Sequence, residues 1–447
     1  PFNTRTKLIS KIEQVGEHGV RITFNDQANR EFPLILALMP VLPKHAIDAE
    51  NFDRSPLAIP VGSGPYVVSQ VQPGQRIVFK RDPNYWAADL PSRRGFNNYD
   101  VITVEYFRNL QAQFEAFKKG VFDVFMEGDP NKWASSYGFP DFNDGRVVKK
   151  TFETHSPANV YGFVFNTRRD EFKDRYVREA LALMFDFEWT NRTLFSGAYK
   201  RTLSYYPNSE FSATGVPTGH EWLMLSPYRD QLPANLFTQA FSLPQTDGRG
   251  IPRDTMRRAL ALLAEAGWKL SGQRLLNSDG QPLRLEILLV NPNLERILQP
   301  YVENLTSIGV DARLRTVDRA QYKQRLDQFD FDMILMTLNQ TLSPGLEQWQ
   351  YFHSSQVGIK GSKNYAGIAN PVVDHLLEQL LAAQTREEQL AAGRALDRVL
   401  LWQHYSIPNW YLNYHRLAYR NRFAFVTTPP YSLGLSAWWV KASEQAQ

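Results

Sequence analysis

Apolar and polar residues alternate singly near the start of the chain, which is the period of a half-buried β-strand. Residues 20–24 follow this pattern, and further strands are predicted from Tyr66 and over residues 77–81. Because helical spacing is rare in this part of the chain, we expect residues 1–100 to be mainly β-structure.

The hydrophobic period changes after residue 100. Residues 101–107 and 121–125 have the apolar runs of strands, and the residues between them have helical spacing. Asn109 is positioned to cap that helix and Gly120 to end it. A strand, a helix and a strand within this length predict a parallel crossover unit.

Residues 283–338 have the most regular pattern of the chain. Strands are predicted at 283–290, 310–317 and 331–338, and the two segments that separate them have helical spacing. Alternating strands and helices are typical of an α/β domain, so we expect these three strands to form a parallel sheet.

Other helices are predicted from apolar spacing or from capping signals. One helix is expected to start at Asp174, because residues 177, 181, 184 and 185 lie on one helical face. Asn370 is an expected N-cap and is followed by a proline at the first helical position. Thr385 and Glu388, three residues apart, have the spacing of a capping box.

The composition excludes several classes of protein. At 447 residues the chain has room for about three domains of roughly 150 residues each. Hydrophobic residues make up 43% and charged residues 21%, which excludes a disordered or collagen-like chain. No apolar run reaches the roughly 18 residues that span a bilayer, so we do not expect an integral membrane protein. The net charge of +4 is too small and too diffuse to indicate nucleic-acid binding.

The sequence lacks the common motifs of catalytic and metal-binding sites. The chain has no cysteine, which excludes thiol catalysis, iron–sulfur clusters and cysteine-ligated zinc. No two of the eight histidines have the spacing of a metal-binding pair, and the sequence has no nucleophile elbow, P-loop or complete dinucleotide loop. We therefore expect no metal, no cofactor and no enzyme activity. A glycosidase with paired carboxylates stays open, because 46 acidic residues always offer pairs.

Two predicted strands lead into polar loops that could hold a ligand. The strand 121–125 is followed by residues 126–129, and the strand 331–338 by residues 339–345. Ligands of open parallel sheets bind beyond the carboxyl ends of the strands, so two lobes with facing strand ends would form a cleft. Ordinary connections between elements are the alternative. The aromatic content of 13% likewise fits either a large core or an aromatic-lined cleft.

Short motifs lie in a fixed order along nearly the whole chain. They are Gly62-Ser63-Gly64-Pro65-Tyr66, Arg81-Asp82-Pro83-Asn84-Tyr85-Trp86, Phe165-Asn166-Thr167, Val177-Arg178-Glu179-Ala180-Leu181 and Phe185-Asp186. Together they resemble the signatures of the bacterial extracellular solute-binding proteins of family 5, the oligopeptide-binding class of ABC importers.

Further motifs point to one branch of this family. They are Trp133-Ala134, Asn166-Thr167-Arg168-Arg169, residues 185–191 and 197–202, Ser343-Pro344-Gly345 and residues 361–368. This set is similar to the Yej-type branch, whose members bind oligopeptides and peptide antibiotics of the microcin C kind for an inner-membrane importer.

The resemblance implies the α/β fold of the type II periplasmic binding proteins, a clamshell of two lobes. Lobe one is expected at residues 1–158 with a return of residues 412–447, and lobe two at residues 159–411. Family members carry a further amino-terminal segment, so we expect lobe one to be β-rich and incomplete here. An incomplete lobe is expected to expose apolar surface and to unfold in a separate, lower thermal transition.

The resemblance also implies a function. The protein is expected to be the substrate-binding component of an ABC importer in the periplasm, capturing oligopeptides or peptide-like antibiotics between its lobes for an inner-membrane permease. No nucleic-acid partner is expected, and the full-length protein is expected to be a monomer. Opines, glycosides and nickel complexes stay open as cargo, and a carbohydrate-active enzyme is the alternative from another class.

Arg201 is expected to help hold the carboxylate or the backbone carbonyl groups of the ligand. A guanidinium matches a carboxylate in bidentate geometry, and Tyr199 and Tyr205 flank this arginine in an alternating aromatic and polar segment. We expect all three residues to face the ligand. The alternative is that Arg201 pairs with a structural acid such as Asp186.

An ammonium group of the ligand needs an acidic partner in a closed, dry cleft. Better-known oligopeptide binders place an aspartate near the position of Thr341, which is neutral here. Glu127 and Glu347 are the nearest acids along the chain, although Glu347 can also be a solvated residue in the first turn of a helix. The complete set of candidate ligand-binding residues is Glu127, Trp133, Tyr199, Arg201, Tyr205, Asn339, Gln340, Thr341, Ser343 and Glu347.

Overall fold

The computed structural model describes residues 8–25, 31–48, 50, 52, 59–426 and 429–442. The β-strands are Ile9–Val15, Gly19–Phe24, Tyr66–Gln72, Arg76–Arg81, Val101–Glu105, Val124–Met126, Val147–Glu153, Val160–Phe165, Lys200–Arg201, Lys269–Ser271, Arg274–Leu276, Arg284–Leu289, Asp311–Thr316, Met333–Leu338, Ser406–Pro408, Trp410–Tyr411, Tyr414–Arg420, Phe423–Ala424 and Trp439–Val440. The α-helices are Phe32–Ala37, Leu110–Lys118, Pro130–Ser135, Pro140–Asn143, Arg175–Leu183, Phe187–Leu194, Gly219–Leu225, Asn235–Thr238, Arg253–Glu265, Glu295–Ser307, Arg319–Asp327, Leu346–Phe352, Pro371–Ala382 and Arg386–Trp402. None of the helices in these described ranges is long and apolar enough to cross a membrane.

The chain divides into two compact units. The larger unit comprises Pro1–Met39 and Pro157–Tyr411, and the smaller unit comprises Pro40–Ser156 and Leu412–Gln447. The first 39 residues are therefore grouped differently from the expected lobe one, which contained residues 1–158.

A hydrogen-bond network ties Glu31 to the larger unit. The Ser343 hydroxyl donates to the Glu31 carboxylate, and the Gln389 amide nitrogen donates to the same oxygen at 3.0 Å. These contacts join Glu31 to residues that follow it by more than 300 positions, which local sequence patterns cannot reveal.

A five-stranded mixed sheet forms the centre of the larger unit. Its strand order is Asp311–Thr316, Arg284–Leu289, Met333–Leu338, Val160–Phe165 and Ser406–Pro408. The first three strands are parallel, as predicted from residues 283–338. The other two pair antiparallel, so they extend the parallel sheet at one edge.

Two hydrophobic cores lie on opposite faces of this sheet. On one face, Phe163 and Phe165 pack with buried residues of the helices Arg175–Leu183, Arg253–Glu265 and Glu295–Ser307. On the other face, the alternate strand residues pack with the helices Pro371–Ala382 and Arg386–Trp402. Successive side chains of a strand point to opposite faces of the sheet, so a single strand can contribute apolar residues to both cores.

Side chains cap three helices of the larger unit at Asn370 and Thr385, as predicted, and at Asp174, which was expected to be the first helical residue. The Asp174 carboxylate accepts the N–H of Tyr176 at 2.7 Å, and the Asn370 side chain accepts the N–H of Val372 at 2.9 Å. Thr385 and Glu388 form the complete capping box. Each cap satisfies an N–H group that the helix itself leaves without a partner.

The smaller unit contains antiparallel sheets, and the predicted parallel crossover unit is wrong. Val101–Glu105 pairs antiparallel with Arg76–Arg81, whereas Val124–Met126 belongs to another sheet. There the strand Tyr414–Arg420 lies between Val124–Met126 and Val147–Glu153 and is antiparallel to both. Because a strand from the end of the chain pairs with Val124–Met126, the two predicted strands never become neighbours.

The last residues complete a core in the smaller unit. Trp438 is 1% exposed and packs with Phe152, Leu417 and Tyr419. Asn98 also donates to the Trp438 carbonyl oxygen at 3.1 Å. The return of the chain end to this part of the protein therefore rests on apolar burial and on a hydrogen bond over 340 residues.

Candidate ligand-binding site

Glu127 directly follows a strand end in the smaller unit, as expected, but its carboxylate is largely buried. One oxygen accepts the N–H of Asp129 at 2.8 Å, and the other accepts the hydroxyl of Tyr137 at 3.3 Å. The residue is 5% exposed. Burial raises the pKa of Glu127, and the two hydrogen bonds oppose that rise.

Arg416 fixes the backbone around Glu127. Its Nε donates to the carbonyl oxygen of Glu127 at 3.2 Å, and its Nη2 donates to that of Gly128 at 2.9 Å. The guanidinium thus binds main-chain oxygens and holds the loop after the strand in one conformation. Sequence patterns missed this residue because it lies 289 positions from its partner.

Trp133 belongs to an aromatic and cationic cluster next to Glu127. Its ring meets that of Tyr137 edge to face, with centroids 5.4 Å apart. The ammonium of Lys149 lies 4.7 Å from the centre of the Trp133 ring and donates to the Trp133 carbonyl oxygen. Burial lowers the pKa of Lys149. The cluster therefore combines aromatic faces with a partly desolvated cation, a combination that suits an anionic or π-rich ligand group.

The loop 339–345 of the larger unit is held by hydrogen bonds within the loop and to residues outside it. Gln340 is buried, donates to the Tyr205 carbonyl oxygen at 2.8 Å and accepts the Gln348 amide at 2.8 Å. Asn339 and Thr341 are exposed, and Thr341 donates to the Ser343 carbonyl oxygen at 2.8 Å. Gln340 therefore shapes the loop. The side chain of Asn339 makes none of the hydrogen bonds found in this loop among the described residues.

Glu347 supports the start of its own helix. Its Oε1 accepts the N–H of Gly345 at 3.0 Å and the side-chain amide of Gln348 at 3.1 Å. This geometry agrees with the alternative of a first-turn helix residue. Glu347 lies in the larger unit and Glu127 in the smaller unit.

Tyr205 is a core residue, contrary to the expectation that it faces the ligand. It is 2% exposed, and its ring meets Phe352 edge to face at 5.6 Å. Its hydroxyl lies 2.7 Å from the Ser406 hydroxyl. Burial raises the pKa of Tyr205. The alternating aromatic pattern around Arg201 thus reflects packing at Tyr205.

Tyr199 is half-buried in an aromatic group. Its ring centroid lies 5.0 Å from that of Phe195 and 6.1 Å from that of Trp410. Trp410 belongs to the strand Trp410–Tyr411, which pairs with Lys200–Arg201. Tyr199 and Arg201 are therefore close to one another at this short sheet.

Among the described residues, two of the three guanidinium nitrogens of Arg201 have no hydrogen-bond partner. Its Nη1 donates to the Pro244 carbonyl oxygen at 3.2 Å, whereas its Nε and Nη2 are buried and have no hydrogen-bond partner among the described residues. The guanidinium lies 5.8 Å from the Phe185 ring centre and 5.5 Å from that of Phe187. Burial lowers the pKa of Arg201 to about 10, although Glu188 and Asp186 oppose the change.

The expected alternative partner of Arg201 has another role. Asp186 caps the helix Phe187–Leu194, and its Oδ1 accepts the N–H of Trp189 at 2.9 Å and the Thr246 hydroxyl at 2.6 Å. Its Oδ2 has no hydrogen-bond partner among the described residues. Asp186 thus stabilises a helix start and leaves the two donors of Arg201 open.

Two further polar residues near Arg201 were missed by the sequence patterns. Thr202 and Asn409 are completely buried, and the N–H of Thr202 donates to the Asn409 carbonyl oxygen at 3.1 Å. The hydroxyl of Thr202 and both side-chain atoms of Asn409 lack partners among the described residues. Buried polar atoms without partners are rare, and often meet water or a ligand. Single threonine and asparagine residues carry no sequence signal of this kind.

A metal site is not formed by the residues that the structure describes. Among them, no group of three or more His, Asp or Glu side chains could hold a metal ion.

The sequence was compared with known families and relatives. The family model described as bacterial extracellular solute-binding proteins, family 5 middle, matches residues 1–358. A Brucella melitensis protein, named as a binding protein without a stated cargo, is 47% identical over 98% of this chain and 72% of its own length. The peptidoglycan-binding protein YepA of Agrobacterium fabrum is 43% identical over 96% of this chain and 71% of its own length. A second A. fabrum relative, named "Probable peptide-binding protein YejA", is 38% identical over 96% of this chain and 72% of its own length.

The fold was compared with solved structures. The oligopeptide-binding protein AppA from Bacillus subtilis, in complex with a nonapeptide, matches with a TM-score of 0.70 and 18% identity. The match covers 98% of this chain and 79% of that protein. The predicted fold class is thereby confirmed.

Proposed function

Because the chain belongs to the bacterial extracellular solute-binding proteins of family 5, we propose that it binds a peptide or peptide-like ligand in the periplasm and delivers it to an ABC permease of the inner membrane. The names of the two A. fabrum relatives support a peptide-containing cargo. In this proposal the protein binds and releases its ligand without catalysing a reaction.

The observation that carries the proposal is the unused donor pair of Arg201. Nε and Nη2 form one edge of the guanidinium, and a carboxylate accepts both in parallel. A buried cation with two unpaired donors is costly unless a partner arrives, so a ligand carboxylate at this edge would gain much of its binding energy here. A free peptide has such a carboxylate at its carboxyl terminus.

The smaller unit offers the complementary group. Glu127 has one oxygen whose hydrogen bond to Tyr137 is long, at 3.3 Å, so this oxygen can accept a further donor from a ligand ammonium. Asn339, Thr341 and the Trp133 ring are proposed as further contacts. Ligand binding between the two units, as the family resemblance implies, stays a prediction.

Peptidoglycan fragments are a second candidate cargo. One relative is named as a peptidoglycan-binding protein, and the peptide stems of peptidoglycan also end in carboxylates. Arg201 would serve this cargo in the same way as a free peptide or a peptide antibiotic of the microcin C kind. The sugar part would then need contacts beyond Arg201.

The first experiment identifies the cargo class by native mass spectrometry. The protein is mixed in turn with a peptide library and with peptidoglycan fragments, and retained masses are read directly. Calorimetry then compares a retained peptide with its carboxyl-terminal amide. We expect the free acid to bind at least roughly tenfold more tightly, the scale of one charge-assisted hydrogen bond.

Substitution of Arg201 tests the site itself. Arg201→Gln is expected to remove the preference for the free acid, whereas Lys200→Gln, at the exposed neighbouring position, is expected to retain it. A peptide affinity of Arg201→Gln within twofold of the unchanged protein would exclude the proposed role of Arg201.

A further inference from the structure

A pocket lies entirely within the larger unit, and none of the candidate residues above lines it. Its volume is 540 Å³. The walls come from the helices Arg175–Leu183 and Arg253–Glu265, from residues 233–244 and from the segment that ends at His404. Small-molecule sites typically have volumes of roughly 300–1,000 Å³, so the pocket has the size of a small organic ligand.

Two arginines and one glutamate lie at the pocket wall. Glu179 accepts Arg175 Nη1 at 3.0 Å and Arg258 Nη2 at 2.7 Å through its two oxygens. His404 Nε2 lies 3.6 Å from the same carboxylate, but burial lowers the pKa of His404 to about 3, so the ring is neutral near pH 7. One carboxylate therefore faces two guanidinium groups, and the pocket carries one net positive charge.

Arg258 has room for an additional acceptor. Its side chain is 62% exposed, and its observed hydrogen bond to Glu179 uses Nη2. Glu179 is 11% exposed at its side chain and already accepts two guanidinium donors. A ligand anion can thus meet Arg258 without displacing Glu179.

Aromatic and apolar residues line part of the pocket, beside neutral polar residues such as Asn235, Gln239 and Thr255. The Phe241 ring lies 5.6 Å from that of Trp402 and 5.8 Å from that of His404, and Leu243 and Leu262 also line the wall. The indole N–H of Trp402 is buried and has no hydrogen-bond partner among the described residues. Flat faces with a spare N–H donor suit an aromatic ligand that carries an oxygen acceptor.

We propose that this pocket binds a small organic monocarboxylate with a flat apolar body. The carboxylate binds Arg258, and the body packs against Phe241 and Trp402. None of the proposed peptide-binding residues lines this pocket, although Pro244 of its wall accepts a hydrogen bond from Arg201.

The test uses 4-fluorobenzoate as the probe and ligand-observed fluorine NMR as the measurement. 4-Fluorobenzamide has the same ring without the charge and is expected to bind at least roughly tenfold more weakly, because it lacks the charge-assisted hydrogen bond. Arg258→Gln is expected to weaken benzoate binding by a similar factor, and Arg258→Lys is expected to restore part of it.

Arg257→Gln is the matched control. Arg257 lies on the same helix and is 78% exposed at its side chain, but it pairs with Asp254 and does not line the pocket. We expect the Arg257→Gln variant to bind 4-fluorobenzoate with the affinity of the unchanged protein. Unfolding midpoints of all variants separate loss of binding from loss of folding.

Four outcomes would overturn the proposal. The first is the absence of 4-fluorobenzoate binding at millimolar concentration. The second is equal binding of 4-fluorobenzoate and 4-fluorobenzamide, and the third is equal weakening by Arg257→Gln and Arg258→Gln. The fourth is displacement of the probe by a peptide that the protein binds, which would place the probe at the peptide site. Failure of peptide binding itself would leave the benzoate result unaffected.

Discussion

The guanidinium of Arg168 donates twice to the carbonyl oxygen of Val357, with Nε at 3.2 Å and Nη2 at 2.8 Å. It also donates to the carbonyl oxygens of Asn364 and Tyr365, at 2.9 and 3.2 Å. The neighbouring hydroxyl of Thr167 donates to the Ala366 carbonyl oxygen at 2.7 Å. Two motifs that lie nearly 200 residues apart in the sequence thus form one hydrogen-bonded structure.

We predict that Arg168→Lys destabilises the protein by about 2–4 kcal/mol, since an ammonium cannot reach all these carbonyl oxygens at once. Stacking of the guanidinium on Phe329, at 3.7 Å, would also be lost. The measurement is urea unfolding. Arg169→Lys is the control, because the Arg169 side chain is 41% exposed and pairs with Asp330. A loss of unfolding free energy in Arg168→Lys that is no larger than the loss in Arg169→Lys would contradict the prediction.

The buried carboxyl group of Asp397 is expected to make the free energy of unfolding depend on pH. Its buried carboxylate accepts the Ser204 hydroxyl at 2.8 Å and the N–H groups of Tyr205 and Ala213 at 2.6 and 2.8 Å. Burial raises the pKa of Asp397 to about 7. Between pH about 4 and about 7, Asp397 therefore keeps its proton in the folded state and loses it in the unfolded state. The contribution of Asp397 to the free energy of unfolding falls as the pH rises through this range.

The test of Asp397 is a series of urea unfolding curves from pH 4 to pH 8. Asp397→Asn is expected to make stability less dependent on pH over this range. Asp230→Asn, at an exposed position, is the control and should retain the slope of the unchanged protein. If Asp397→Asn retains the full slope, the carboxyl group does not hold the proton.

Gly393→Ala is expected to destabilise, although it lies inside the helix Arg386–Trp402, where alanine is usually the better residue. A Cβ at this position would overlap the ring of Phe211. Overpacking of this kind costs about 1–3 kcal/mol, which exceeds the gain in helix propensity. The double variant with Phe211→Leu should lose less than the sum of the two single changes. A higher free energy of unfolding for Gly393→Ala would contradict the prediction and would show that the helix can move to make room for the methyl group.

Glu127→Gln is expected to reduce the preference for a free peptide amine over the N-acetylated peptide. Loss of a desolvated charge partner should cost on the order of 2–5 kcal/mol of binding. Calorimetry with both forms of one retained peptide gives the difference. Glu347→Gln is the comparison, because its carboxylate already serves the helix start at Gly345. If neither change affects the preference, the amine is held elsewhere or not at all.

Local patterns determined most of the elements. The capping roles of Asn370 and Thr385 were predictable because each depends on residues within one turn. The helix expected to start at Asp174 has this residue as its cap, one position before its first helical residue. The parallel strands of residues 283–338 were also predictable, since short βαβ connections leave few possible pairings. The ordered motifs likewise indicated the family, because together they extend along nearly the whole chain.

Contacts between distant residues decided what the sequence could not. The parallel crossover expected after residue 100 failed because Tyr414–Arg420 pairs with Val124–Met126, and no local period encodes the choice of a partner strand. Tyr205 is buried by Phe352 and Ser406, although its alternating pattern also fits an exposed aromatic residue. Its chemistry made Arg201 a candidate for binding a carboxylate, but only its surroundings show that two of its donors are buried without a partner among the described residues. Spacing along the chain fixes periodicity and capping, whereas burial and pairing depend on which distant surfaces exclude water together.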